Sequence, residues 1–182
     1  MIPVFLADGF EEIEALATVD ILRRAGVDAV TVGVGTKMPK GAHGIIVCAD
    51  IMEDELVLDS IDGVVLPGGM PGTTNLEASV VVQSAVAYAF EHKLLLAAIC
   101  AAPSILGHAG YLNGKDAVCY PGFEEALDGA TIVNEGVVVD DNVITAAAAG
   151  YAVDFALTLV GYLTSVEEAS AVCDALEPID YD

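Results

Sequence analysis

The run Leu94-Leu95-Leu96-Ala97-Ala98-Ile99 carries no polar residue at any position. A strand with one face in water alternates apolar and polar side chains. A continuous apolar run suits a strand covered on both faces, as in a parallel sheet flanked by helices. Cys100 follows at once, and after Ala101-Ala102 comes Pro103, which opens an apolar stretch to His108. Proline is favoured in the first turn of a helix, so Cys100 falls on a tight strand-to-helix turn. Two readings of this cysteine follow. It is a buried structural thiol, or it is a nucleophile whose thiolate is favoured by the dipole and free N–H groups of the helix N-terminus.

The rest of the chain repeats the same alternation. Residues 2–6 read as a strand and residues 7–10 as a turn. Residues 11–25 read as a helix with Glu11, Glu12 and Glu14 in its first turns, Arg23 and Arg24 in its last, and Gly26 as its stop. Residues 29–33 read as the next strand, which completes a βαβ unit. Residues 34–44 read as loop and 45–48 as a short strand, and residues 50–59 show no clear pattern. Residues 63–66 read as a buried strand closed by Pro67-Gly68-Gly69. A helix is expected over 79–92, with Val82, Val86 and Phe90 on one face. Further strands are expected at 94–99, 117–120, 131–133, 137–139 and 143–147, and helices at 151–163 and 166–176. This alternation predicts an α/β fold with a mostly parallel central sheet. At 182 residues, without a linker or repeat, residues 1–182 are expected to form one domain. Residues 143–163 are apolar enough to suggest a membrane span, but Asp154 lies within them and Gly150-Tyr151 divides them into a strand and a helix.

Six Lys+Arg stand against 28 Asp+Glu, for a net charge of −22. Such a chain has no electrostatic footprint for nucleic acid or an anionic membrane. Cys48, Cys100, Cys119 and Cys173 are widely spaced and form no C-x-x-C pair, so they read as free thiols in a reducing compartment. The first apolar run has no basic stretch before it, and a cytoplasmic location is expected. His43, His92 and His108 show no metal-ligand spacing, so no metal and no cofactor is expected.

Ligands of open parallel sheets bind beyond the carboxyl ends of the strands. Three loops follow such ends, at residues 7–14, 67–75 and 100–103, and all three should open on one edge. In the second, Gly68 and Gly69 allow backbone N–H groups to approach a ligand or an oxyanion, or else serve a tight turn. In the first, Glu11, Glu12 and Glu14 are either helix-capping acids, or one of them turns toward Cys100 with its pKa raised. Spacing does not single out which. No histidine lies where it could pair with Cys100: His108 is two turns down the helix, and Ala101 follows the cysteine.

Three segments together resemble the ThiJ/PfpI superfamily: Gly9-Phe10-Glu11-Glu12-Ile13-Glu14, Asp62-Gly63-Val64-Val65-Leu66-Pro67-Gly68-Gly69 and Ala97-Ala98-Ile99-Cys100-Ala101-Ala102-Pro103. The resemblance covers nearly the whole chain. It implies a flavodoxin-like three-layer α/β sandwich with helices on both faces, usually a homodimer. It implies that Cys100 is an oxidation-prone nucleophile, that Glu14 is the acid whose protonated carboxyl contacts the sulfur, and that Gly69 and Ala101 supply backbone donors, with Gly68 beside them. The activities it implies are glutathione-independent glyoxalase or deglycase chemistry on small reactive carbonyls and their adducts, redox-dependent chaperoning, and proteolysis in the PfpI branch. Three positions depart from the pattern. Ala101 stands where the PfpI branch has histidine, and Tyr120 precedes Pro121 where histidine is common. Ala146-Ala147-Ala148-Ala149-Gly150-Tyr151 replaces a Ser-Arg-Gly-Pro-Gly-Thr segment. Tyr120 is therefore expected to bind substrate by hydrogen bonding and to be a poor base at neutral pH.

Overall fold

A computed structural model describes residues 1–176. Its main sheet has seven strands: β1 (Ile2–Leu6), β2 (Ala29–Gly33), β3 (Ile51–Met52), β4 (Gly63–Leu66), β5 (Leu95–Ile99), β8 (Val137–Asp140) and β9 (Val143–Ala146). Their spatial order is β3-β2-β1-β4-β5-β9-β8. All neighbours pair in parallel except β8 with β9. Two short strands, β6 (Asp116–Ala117) and β7 (Thr131–Ile132), form a separate parallel ladder.

Six helices complete the described residues: α1 (Glu12–Arg24), α2 (Gly72–Ala78), α3 (Val80–Glu91), α4 (Pro103–His108), α5 (Ala152–Leu163) and α6 (Val166–Leu176). The sheet divides the core in two. Phe5, Val64, Leu66, Leu96 and Ala98 pack with Val82 and Val86 of α3 and Ile105 and Leu106 of α4. Val4, Leu6, Val65, Leu95, Ala97 and Ile99 pack with Leu22 of α1 and Phe155 and Leu159 of α5. Alternate residues of β5 thus enter opposite cores, which is why that strand shows no polar parity. Each such leucine contributes about 1.5–3 kcal/mol through burial. The result is the expected α/β sandwich, with a mostly parallel sheet between helices.

The chain order creates a switch point. β1 lies between β2 and β4, so the connections leaving β1 and β4 depart to opposite faces. A crevice forms where they diverge, at the carboxyl ends of the strands.

Four expectations are corrected. Residues 45–48 form no strand; one bridge, Lys40 to Ile46, is all the pairing there, and β3 begins at Ile51. Ile45 and Ile46 have no apolar layer over them and stay more than half exposed. Residues 72–75, expected as part of the 67–75 loop, instead open α2 (Gly72–Ala78). Its Gly-Thr-Thr-Asn start has poor helix propensity, and the burial of Gly72, Thr73 and Leu76 overrides it. β6 ends at Ala117, short of Tyr120. Phe90 leaves the inner face of α3 and stacks on Tyr111, ring centroids 4.2 Å apart. The suspected membrane segment resolves into β9 and α5, and among the described residues no helix is long and apolar enough to cross a membrane.

Candidate active site

β5 delivers Cys100 to the crevice in a left-handed conformation, φ +65°. This region costs an L-residue about 1–2 kcal/mol, and the surroundings hold it. The Cys100 N–H donates to the Ala146 carbonyl at 2.9 Å, and its carbonyl accepts from Tyr120 N–H at 2.8 Å. The turn lifts the thiol off the end of β5 and over the loop after β4.

The three glutamates of α1 divide their work. Glu11 is the N-cap, its Oε2 accepting the Glu14 N–H at 2.7 Å. Glu12 turns to the 41–45 loop and accepts the His43 and Ile45 N–H groups at 2.8 and 3.3 Å. Glu14 is 1% exposed and points at the elbow. Its Oε2 accepts the Gly68 N–H at 2.8 Å. Its Oε1 is buried without a hydrogen-bond partner, and Cys100 lies next to the carboxyl across Gly68.

The two glycines of the β4 loop have different duties. A Cβ on Gly68 would meet the Cys100 Cβ at 2.7 Å, Glu14 Oε2 at 2.8 Å and the Ile99 carbonyl at 2.9 Å. Gly68 is thus the space between acid and nucleophile, and its N–H is committed to Glu14. Gly69 has φ +90°, and a Cβ there would lie 2.4 Å from Glu11 N. Its N–H and that of Ala101 favour the charged form of the Cys100 thiol.

Burial pushes the Glu14 carboxyl up to about 7, although the Cys100 thiol and Gly68 N–H pull the other way. Burial also pushes the Cys100 thiol up to about 12, reinforced by the Glu14 charge and its hydrogen bond and opposed by the Ala101 and Gly69 N–H groups. The Ala101 N–H at the start of the turn into α4 acts in the direction expected of a helix N-terminus, with burial the larger effect. Two groups this close titrate as a pair. One proton leaves near 7 and the next near 12, and between these values the pair holds a single proton.

Tyr120 is tied to the elbow by its backbone, but its side chain is nearly half exposed, and among the described residues its hydroxyl makes no hydrogen bond. The histidines are engaged elsewhere. His108 Nδ1 lies 2.6 Å from Glu77, His92 stacks on Tyr88, and His43 meets Glu12. Beside the elbow, a cavity of about 510 Å³ runs between Cys119, Pro121, Ala147, Ala148 and Tyr151. The Tyr151 ring forms part of its wall and lies over Gly136, where a Cβ would come within 2.2 Å of the ring. Tyr151 closes the segment that departs from the family pattern, whereas Gly136 carried no sequence signal for the site. A wider cleft of about 660 Å³, lined by Asp8, Thr36, Glu53 and Ser79, holds no nucleophile.

Known proteins share this sequence pattern and fold. A family model described as the DJ-1/PfpI family matches residues 1–161. Protein DJ-1 homolog A of Arabidopsis thaliana is 36% identical over 97% of this chain. The chain spans less than half the length of that relative, 45%. A Caenorhabditis elegans protein named glutathione-independent glyoxalase DJR-1.2 is 29% identical, covering 91% of this chain and 89% of its own. The structure of oxidized Toxoplasma gondii DJ-1 superposes with a TM-score of 0.92 at 32% identity, over 99% of this chain and 98% of that one. This chain belongs to the DJ-1/PfpI family.

Proposed function

We propose that this protein is a cofactor-independent enzyme that isomerises and hydrates small 2-oxoaldehydes such as methylglyoxal, or releases them from adducts. The observation that carries the reading is the buried Glu14 carboxyl set against Cys100 across Gly68, where a single Cβ would touch both. The name of the Caenorhabditis elegans relative supports the substrate class.

The shared proton gives the pair its chemistry. In the tautomer with protonated Glu14, the Cys100 thiolate attacks the aldehyde carbon. The carbonyl oxygen takes the Glu14 proton, and the Gly69 and Ala101 N–H groups stabilise it as charge develops. The product is a hemithioacetal with a sulfur–carbon bond. Glu14, now a carboxylate, removes the proton on that carbon to give an enediol and returns a proton at the neighbouring carbon. The former aldehyde carbon is thereby oxidised to a thioester while the ketone carbon is reduced to an alcohol, so no external oxidant is required. Water hydrolyses the thioester to a 2-hydroxy acid and restores the thiol. Tyr120, on the exposed side of the elbow, hydrogen-bonds the substrate. The test is methylglyoxal consumption by purified protein and by Cys100→Ala. Wild-type protein that leaves methylglyoxal untouched refutes the reading.

A second reading has its own support. Cys100 is partly exposed and has backbone N–H groups that favour its charged form, and the Toxoplasma gondii relative was solved in an oxidized form. Stepwise oxidation to sulfinic acid, with Glu14 hydrogen-bonding the new oxygen, makes the same site a redox sensor. Proteolysis of the PfpI kind is disfavoured, because Ala101 follows the nucleophile and each histidine is engaged elsewhere. We also propose a homodimer. Ile13 on α1 and Ile45 and Ile46 on the loop that Glu12 clamps are all more than half exposed, and a second copy would cover such a surface.

A further inference from the structure

The loop of residues 41–45 folds over the first turn of α1 and brings His43 to two carboxylates that lie 31 and 32 positions away in sequence. His43 Nδ1 is 2.9 Å from Glu12 Oε2 and 3.8 Å from Glu11 Oε1. One ligand atom from each of the three residues lies within 4.8 Å of the other two. A divalent ion with bonds of about 2.1 Å holds its ligands roughly 3–3.5 Å apart, so small side-chain adjustments seat one.

The remaining acceptors of the two carboxylates are already used. Glu11 Oε2 accepts the Glu14 N–H at 2.7 Å. Glu12 Oε1 accepts the His43 and Ile45 N–H groups. A Cβ on Gly41 would sit 2.3 Å from the Glu12 carboxyl carbon, so the loop backbone closes directly over it. The backbone thus acts as an outer shell that orients both carboxylates and leaves Glu11 Oε1 and Glu12 Oε2 turned toward His43.

Charge points the same way. Among the described residues no Lys or Arg makes an ion pair with Glu11 or Glu12; His43 is the basic group they meet. Glu12 is nonetheless 4% exposed. The helix N-terminus contributes about half a positive charge, so with His43 neutral, as a metal ligand must be, the two carboxylates are short of compensation by more than one unit. We propose that Glu11 Oε1, Glu12 Oε2 and His43 Nδ1 form a site for a divalent cation of the zinc or cobalt class, with water completing its coordination. One imidazole with two carboxylates suits such borderline ions better than a thiolate-seeking one. The ion pins the 41–45 loop to α1, and through the Glu11 cap it bears on the turn that carries Glu14.

Co²⁺ titration of the intact protein, followed by visible absorption, tests this site. We expect one equivalent to bind with nitrogen and oxygen ligand-field bands and without a sulfur-to-cobalt charge-transfer band. His43→Ala should weaken that binding at least tenfold. Because His43 is exposed, its circular dichroism should match wild type, and Co²⁺ should raise the melting temperature of wild type alone. Equal Co²⁺ affinity in wild type and His43→Ala, a charge-transfer band that places the ion on a cysteine, or no binding at all would overturn the proposal. None of these outcomes depends on whether methylglyoxal is a substrate.

Discussion

Glu14 Oε2 accepts the Gly68 N–H at 2.8 Å, and Gly68 in turn leaves only enough room for the Cys100 Cβ beside it. Acid, spacer and nucleophile come from the ends of three different segments, α1, the β4 loop and β5. Any side chain at residue 68 must push two of them apart. We expect Gly68→Ala to cost about 1–3 kcal/mol of stability, the range for overpacking, and to lower kcat at least tenfold. Chemical denaturation and steady-state kinetics check the two effects separately.

Glu14→Gln keeps the shape of the acid and removes its proton chemistry. We expect kcat on methylglyoxal to fall by about 10²–10⁴, the usual contribution of a general acid–base, with the fold retained by circular dichroism.

The same substitution exposes a pH dependence of stability. The folded carboxyl titrates near 7 against an ordinary value of 4.5, so the folded state holds the proton more tightly than the unfolded chain. That contribution is fully present below about 4.5 and is lost as the pH rises through about 7. Relative to Glu14→Gln, wild type should lose up to about 3 kcal/mol across this window. Urea denaturation of both proteins at several pH values measures the difference, and parallel curves would contradict it.

The left-handed elbow gives a prediction independent of catalysis. Glycine adopts φ +65° without the Cβ penalty but loses more backbone entropy on folding. We expect Cys100→Gly to be about 0.5–1 kcal/mol more stable than Cys100→Ala by thermal or chemical denaturation.

For the redox reading, mild peroxide should add two oxygens to Cys100, which is partly exposed beside Glu14, before Cys119, which is only 5% exposed. Intact-mass and peptide mass spectrometry separate the sites. Simultaneous oxidation of both would show that the elbow is not a poised thiol.

Legibility in the sequence followed the range of the interactions involved. The β5 strand, the Cys100 turn and the α1 helix were readable because unbroken apolarity, Pro103 and end-matched charges are local signals. The choice among Glu11, Glu12 and Glu14 was not readable from spacing, since all three suit a helix N-terminus equally, and only the family resemblance pointed to Glu14. What separates them is which neighbour each meets: its own helix, the 41–45 loop or the elbow. Gly68 and Gly69 look alike in sequence and differ only in which N–H is consumed by Glu14. α2 was missed because its opening Gly-Thr-Thr-Asn is helical through burial of Gly72, Thr73 and Leu76. The His43 cluster was invisible because the fold, rather than a short spacing, brings its members together.

The pH dependence of Cys100 alkylation by iodoacetamide, read by mass spectrometry in wild type and Glu14→Gln, tests the shared proton most directly. We expect the wild-type rate to rise with a midpoint near 7, as the pair releases its first proton, and that rise to disappear in Glu14→Gln. Identical profiles in both proteins, centred in the ordinary thiol range of about 8.5, would contradict the pairing of Glu14 with Cys100.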